Sequence, residues 1–396
     1  MTKYDFDQQI NRRGSDSSKW TKHIDDDVTL PMWLADMDFP LPSQITEAIK
    51  ARVDEQFLGY AVPPQELRDV LVDRMKTQYD WSITSEQIMF LPGVVVGLHI
   101  AVQRFMNQGE GVLMPTPVYA PFFNAVENNN REVHHVSLQP VYNGQDIRYE
   151  IDFDAFESAI QPNTKMLMLC NPHNPIGRVF TREELARMAE ICIKHDLLII
   201  TDDVHSDLVF GDHKHIPIAS LSPEIADRTV TLMAATKTFS MPGLSAAFAI
   251  SHNENLLKIM QEASWGVGHA STLGYVATMV GYRDASDWIE QLRDYLTANR
   301  DHAVNFIKEN MPQLKITTPE GTYLMWIDCN ALGLQGTAAD FFKEQAKVVL
   351  NDGEWFGRDG NGDGFVRLNF ACPRAQLDEA LSRIHKAVQG LQVTTD

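Results

Sequence analysis

Along the middle of the chain, apolar and polar positions fall into short runs that predict strands and helices in turn. "GVVVGLHIAVQRFM" (Gly93–Met106) reads as a helix opened by glycine, and "GVLMP" after it as a short buried strand. "KMLMLCNP" is a continuous apolar run ending in turn residues, the pattern of a strand covered on both faces. In "TREELARMAEICIKH", Thr181 is placed to cap a helix, with Glu184 three residues on. Leu185, Met188, Ala189 and Cys192 then fall on one helical stripe. "DLLIITDD" and "RTVTLMAA" are two further strands. Strand–helix–strand at this spacing predicts an α/β fold with a mainly parallel, doubly wound sheet.

After about residue 280 the texture changes. A long polar helical stretch, "SDWIEQLRDYLTANRDHAVNFIKENM", leads into the strands "TYLMWIDC" and "GFVRLNFA". The expected division is a large domain over 46–280 and a smaller α+β domain over 281–396, against which residues 1–45 pack.

Composition narrows the classes. The 396 residues carry 34 basic and 53 acidic side chains, a net charge of −19, which argues against a nucleic-acid or anionic-membrane surface. The polar start lacks the apolar core of a signal peptide, and no run of about 18 apolar residues appears. Cys170, Cys192, Cys329 and Cys372 lack paired spacing, so neither a disulfide framework nor a zinc site is expected, and the cytoplasm is the default.

The chemistry sits at strand ends. In open parallel sheets ligands bind outside the carboxyl ends of the strands. Here "CNPHNPIGR", "TDDVHSD" and "ATK" follow three successive strands, so Asn174, Asp202 and Lys237 converge on one crevice. Alone, each has an ordinary reading: a solvated lysine, an Asn-Pro turn, a loop acid. Together they give the lysine a role, since a desolvated amine has a lowered pKa and condenses with carbonyls.

The chain resembles a fold type I pyridoxal-phosphate enzyme of the aminotransferase superfamily, and within it the MalY/PatB-like cystathionine β-lyase (C–S lyase) group. The resemblance runs through "PMWLADMDF", "FLGYAVP", "LPGVVVGLHIAV", "PTPVYAPFF", "CNPHNPIGRVF", "ITDDVHSDLVF", "TKTFSMPGL", "PEGTYLMWID" and "GFVRLNF", nearly the whole chain. It implies a pyridoxal 5'-phosphate cofactor carried on Lys237, which also moves the substrate Cα proton. Asp202 would pair with the ring nitrogen, Asn174 and His205 would face the ring's phenolic oxygen, and Tyr119 would stack on the ring and share the catalytic role with Lys237. Val94 and Val95 N–H groups and the Thr236 hydroxyl would meet the phosphate. Tyr60 would reach it from a partner subunit, in a homodimer with shared active sites. Arg367 would clamp the substrate carboxylate, with Asn174 and Ala35 also at the substrate.

The implied reaction is α,β-elimination on L-cystathionine or a related cysteine S-conjugate, giving pyruvate, ammonia and a thiol. An aminotransferase acting on a small or aromatic amino acid uses the same residues. A non-catalytic regulatory binding protein on the same fold is the rival of another class. Two positions depart from the wider family pattern: Ala234 stands where relatives often have serine, and Ser245 where many aminotransferases have a phosphate-binding arginine. The second departure fits the lyase group better.

Other signals fail on their own terms. "DGNGDG" (Asp359–Gly364) imitates the start of a calcium loop, but Phe370 occupies the position of the required glutamate, leaving a tight turn before the Arg367 strand. "HKH" (His213–His215) has no second cluster at ligand spacing, so no metal is expected. His134 and His135 fall in a strand without an assigned role.

Overall fold

Seven strands form the larger sheet, in the order Ile88–Leu91, Ala247–Ile250, Thr229–Met233, Leu198–Asp202, Thr164–Cys170, Gly111–Thr116 and Glu132–Ser137. The last five are mutually parallel, and Ala247–Ile250 runs against both its neighbours. The computed structural model describes residues 3–24 and 26–393. Met1, Thr2, Asp25 and residues 394–396, which the expected domain boundaries take in, lie outside the described residues.

The central strands are buried along nearly their whole length because helices cover both faces. On one face, Val94–Phe105 and Pro121–Glu127 place Leu98, Ile100, Phe122 and Phe123 against Met166, Met168, Val230 and Leu232. On the other, Arg182–Lys194 places Leu185, Met188, Ala189 and Cys192 against Leu167, Leu169 and Ile199. Its start is the expected capping box: Thr181 Oγ1 accepts the Glu184 N–H at 3.2 Å, and a Glu184 carboxylate oxygen accepts the Thr181 N–H at 2.8 Å.

Helix Val94–Phe105 lies unusually close to the sheet. A Cβ on Gly97 would sit 2.8 Å from Leu232 Cδ2 and 3.1 Å from Leu91 Cδ1. That glycine lets the helix N-terminus come down beside the strand ends. Register completes the arrangement: Cys170 pairs with Asp202, and Asp202 with Leu232, so the three strands that bear the chemistry end at one level.

The second sheet has six strands, in the order Asn351–Asp352, Phe365–Asn369, Leu324–Asp328, Lys315–Thr317, Asp146–Glu150 and Gln139–Asn143. The last two come from mid-sequence. They follow the larger sheet's edge strand after Leu138 alone, so chain continuity hides their membership of the second sheet. Helices Ser286–Asn310 and Arg374–Val393 share one apolar cluster with it through Leu292, Leu296, Ile307, Leu377 and Leu381. The N-terminal segment is tied to this part: Leu30–Pro31 pairs in parallel with Val348–Val349, and Phe6 meets Trp288 and Tyr295. "DGNGDG" is a turn, as expected; Asn361 donates to Thr116 Oγ1 (2.8 Å) and Ser137 Oγ (3.0 Å). No helix among the described residues is long and apolar enough to cross a membrane.

Leu232 is wholly buried where helix and sheet meet. Leu232→Ala is expected to cost about 2–5 kcal/mol, read as a lower urea midpoint at unchanged slope.

Candidate active site

Lys237 lies in a single helical turn, Ala235–Thr238, directly after strand Thr229–Met233. Its Nζ donates to the Ala35 carbonyl at 2.9 Å. The amine opens onto a cleft of about 540 Å³ whose walls include Leu34, Ala35, Leu41, Met241 and Leu244. Desolvation lowers its pKa; Asp36 opposes that shift, Arg367 adds to it and Asp202 opposes it. The lysine is thus held by one carbonyl and poised by surrounding charges.

Asp202 ends its strand almost fully buried, with one oxygen accepting the Val204 N–H at 3.1 Å. Burial pushes its pKa up to about 7; the Val204 N–H works against this, Asp203 adds to it and Lys237 opposes it. His205, in the turn that follows, packs its ring edge on Tyr323 at 5.6 Å. Its Nδ1 is buried without a hydrogen-bond partner, as is the Tyr323 hydroxyl. Burial, then the charges of Lys237 and Arg367, lower its pKa to about 3, so the imidazole is neutral at ordinary pH.

Arg367 enters from the second sheet, on strand Phe365–Asn369. Its terminal nitrogens donate to Asn174 Oδ1 at 2.8 Å, to the Trp33 carbonyl at 3.0 Å and to Asn351 Oδ1. The guanidinium lies over the Phe356 ring at 4.7 Å, and its Nε has no partner. Burial lowers its pKa to about 10, against the influence of Tyr119 and Tyr323. A buried guanidinium with an unclaimed N–H is a ready site for a carboxylate.

Tyr119 is partly buried and lies within the electrostatic reach of Arg367 and Asp202. Val94 and Val95 form the first turn of helix Val94–Phe105, where Gly97 is the first N–H to close, onto Gly93 O at 3.2 Å. The earlier N–H groups therefore have no acceptor within the helix, and Gly93 offers no side-chain cap. Open space lies beyond the position of a Gly93 Cβ. Thr236 belongs to the same short turn as Lys237. Tyr60 is fully exposed, between helices Ser43–Asp54 and Gln65–Tyr79. It takes no part in the crevice of its own chain.

Sequence reasoning missed the supporting residues. Asn351 and Phe356 hold Arg367 but carry no motif. Asp207 accepts from Thr238 Oγ1 (2.6 Å), Tyr79 OH (2.8 Å) and Arg74, fixing the turn that bears Lys237; its only sequence sign was membership of "TDDVHSD". Among the described residues, no cluster of His, Cys, Asp and Glu is arranged to hold a metal ion.

The family model described as Aminotransferase class I and II matches residues 34–384. The chain belongs to this family. It is 37% identical to the protein named cystathionine beta-lyase PatB of Bacillus subtilis, over 97% of this chain and 99% of that one. Cystalysin of Treponema denticola, solved with pyridoxal 5'-phosphate, superposes with a TM-score of 0.92 at 32% identity, covering 98% of this chain and all of that one. A pyridoxal-phosphate-bound C–S lyase of Staphylococcus hominis superposes with a TM-score of 0.90 at 30% identity, over 98% of both chains. The fold is therefore that of the fold type I aminotransferases.

The raised pKa of Asp202 has a consequence for the cofactor-free protein. Its folded value, about 7, exceeds the unfolded one, so between them the folded state binds more protons and stability falls as pH rises. Asp202→Asn removes this penalty. The variant is expected to be more stable than the parent above about pH 7, by up to roughly 4 kcal/mol, with the gap closing below about pH 4. Urea unfolding of cofactor-free protein at both ends of that window checks it; a parent that is the more stable at the alkaline end rules it out.

Proposed function

We propose that this protein is a pyridoxal-phosphate-dependent carbon–sulfur lyase, cleaving L-cystathionine or a related cysteine S-conjugate to pyruvate, ammonia and a thiol. The observation that carries the reading is the partly buried Lys237 amine, held on Ala35 O within the electrostatic reach of Asp202 and Arg367. The names of the relatives support it.

The crevice fits the cofactor by its own chemistry. Asp202 is a buried carboxylate with one backbone hydrogen bond, suited to a protonated ring nitrogen. His205 Nδ1 and Tyr323 OH are buried and unpartnered, and the Val94–Val95 turn offers free N–H groups to a phosphate. Asn174, whose Oδ1 already accepts from Arg367, would hold the ring and the substrate carboxylate in register. Lys237 would carry the group, with Tyr119 on its face and Thr236 at the phosphate. When bound, pyridoxal phosphate supplies an electron sink for the pair left at the substrate Cα.

The protein's own part is positional. Arg367 would meet the substrate carboxylate through its unclaimed Nε N–H, aided by the Ala35 N–H, which has no acceptor among the described residues. That grip turns the Cα–H toward Lys237, whose neutral amine takes the proton. The Cβ–S bond then breaks, the thiolate leaves, and water hydrolyses the remainder to pyruvate and ammonia. Arg12 lines the cleft beside Lys237, and its terminal nitrogens are occupied by Asp36, Asp38, Ser17 and Met37 O. It offers nothing to a second substrate carboxylate, which favours elimination over dicarboxylate transamination.

We also infer a homodimer. Phe57, Leu58, Tyr60, Val62, Trp265 and Val267 are exposed, and Val62 and Trp265 line one groove, a face that a second copy would cover. Tyr60 would then reach the partner's phosphate site. We infer two units, one over 46–280 and one formed by 1–45 with 281–396, the hairpin 139–150 joining the second by sheet pairing.

The deciding experiment supplies cystathionine and pyridoxal phosphate without any keto acid. Pyruvate and free thiol are expected in equal amounts, and none from Lys237→Ala. If kcat/KM for transamination of alanine or aspartate exceeds that for elimination by tenfold, about 1.4 kcal/mol in barrier, the lyase reading fails and the aminotransferase reading stands. Arg367→Ala is expected to raise KM and lower kcat/KM by at least about tenfold, the loss of a charge-assisted contact of roughly 1.5–3 kcal/mol. Unchanged values would assign the carboxylate to another group.

A further inference from the structure

Asp36 is the acidic group that the mechanism above leaves unused. It follows Ala35, whose carbonyl holds Lys237 Nζ, and it lines the same cleft. One of its carboxylate oxygens accepts from Ser240 Oγ at 2.9 Å, three residues beyond Lys237, while Ser240 Oγ accepts the Met37 N–H at 2.8 Å. The other pairs with Arg12. Ser240 adopts φ 52°, in the left-handed region that a serine seldom occupies. The lysine turn and the loop before it are therefore joined through a carboxylate held at a chosen place beside the amine.

We propose that Asp36, clamped by Arg12 and Ser240 beside the lysine turn, is a positioning residue that sets the basicity of Lys237. The inference rests on the reading of Lys237 as the group that moves the Cα proton. Four charged or titratable groups face the amine. Asp36 comes from the loop before it, Asp202 from the neighbouring strand, Arg367 from the second sheet and His205 from the turn after Asp202. His205 is neutral at working pH, so it leaves the balance to the other three. Asp202 is committed to the ring nitrogen and Arg367 to the carboxylate once both ligands are in place. Asp36 alone among them is free to act on the lysine throughout turnover, and Arg12 tempers how strongly it does so.

Two variants of opposite charge effect test this in the full-length protein. Asp36→Asn keeps a hydrogen-bonding side chain but removes the anion, so the Lys237 amine should lose its proton at lower pH. Arg12→Gln frees the anion from its counter-ion, so the midpoint should rise. Each shift is expected to be of order one pH unit. The readout is the pH dependence of trace acetylation at Lys237 in cofactor-free protein, mapped by peptide mass. The acid limb of kcat/KM in the loaded enzyme should follow the same two directions. Loss of a structural anchor would move both variants the same way, and that result, or no movement in either, overturns the proposal. Should Arg12→Gln fail to fold, Asp36→Asn is read against Asp36→Glu: a fall in the first alone supports the proposal, and a fall in both overturns it. Asp36→Glu, which restores the anion, should return the midpoint toward the parent value. Absence of lyase activity in the parent with the opposed shifts intact would sink the assigned reaction and leave the Asp36 assignment standing.

Discussion

The site depends on how one buried irregular loop satisfies its backbone. Residues 33–37 run past the strand ends without secondary structure of their own, and five successive carbonyls there are each claimed by a side chain. Arg367 takes Trp33 O, Asn369 takes Leu34 O, Lys237 takes Ala35 O, Lys19 and Asn369 take Asp36 O, and Arg12 takes Met37 O. Buried carbonyls left without donors are costly, so this loop and these side chains fix one another. The donors come from the N-terminal segment, the lysine turn and the second sheet. Three parts of the chain that are remote in sequence thereby meet at the point where Lys237 and Arg367 must be held at a set separation.

Burial is the second constraint. Lys237, Asp202 and Arg367 all shift in the direction that disfavours their charged forms, with desolvation the largest cause for each. Their mutual attractions only partly offset this. Such a set is poorly suited to an empty protein and well suited to one holding an anionic, zwitterionic load, because a bound ring nitrogen, phosphate and carboxylate supply the missing partners. The larger sheet tolerates it because its strand register puts the charges at one level, while helices seal both faces behind them.

Much of this was legible in the sequence where a local rule governs. The capping box at Thr181 and Glu184, the glycine-opened helix at Gly93 and the strand over the apolar run of Met166–Cys170 follow from short-range geometry, and they form as expected. The convergence of Asn174, Asp202 and Lys237 followed from the strand-end rule, which needs only the order of strands. What stayed hidden depends on long-range pairing. The hairpin 139–150 looks like a surface excursion of the larger sheet until its pairing with Lys315–Thr317 is known. Asn351 and Asn369 are ordinary asparagines in sequence, and only tertiary contact makes them the holders of Arg367 and of the 33–37 loop. Tyr60 shows the limit in the other direction, since a residue exposed on its own chain can be given a site only by a second one.

Stability and function are opposed at Asp202, and cofactor binding is what relates them. A carboxyl forced up to about 7 by burial weakens the folded state at neutral pH, and the single Val204 N–H it accepts offsets that only in part. A ligand that binds only the folded form adds RT ln(1 + [L]/Kd), which at a hundredfold excess over Kd is about 2.7 kcal/mol. A cation placed against Asp202 turns the unfavourable anion into an ion pair, so part of that gain is the removal of an existing penalty. The same carboxylate that destabilises the empty crevice thus makes the loaded one selective for a ring that carries a proton. A neutral ring of the same shape would leave the penalty in place, and the protein would bind it less tightly for that reason alone.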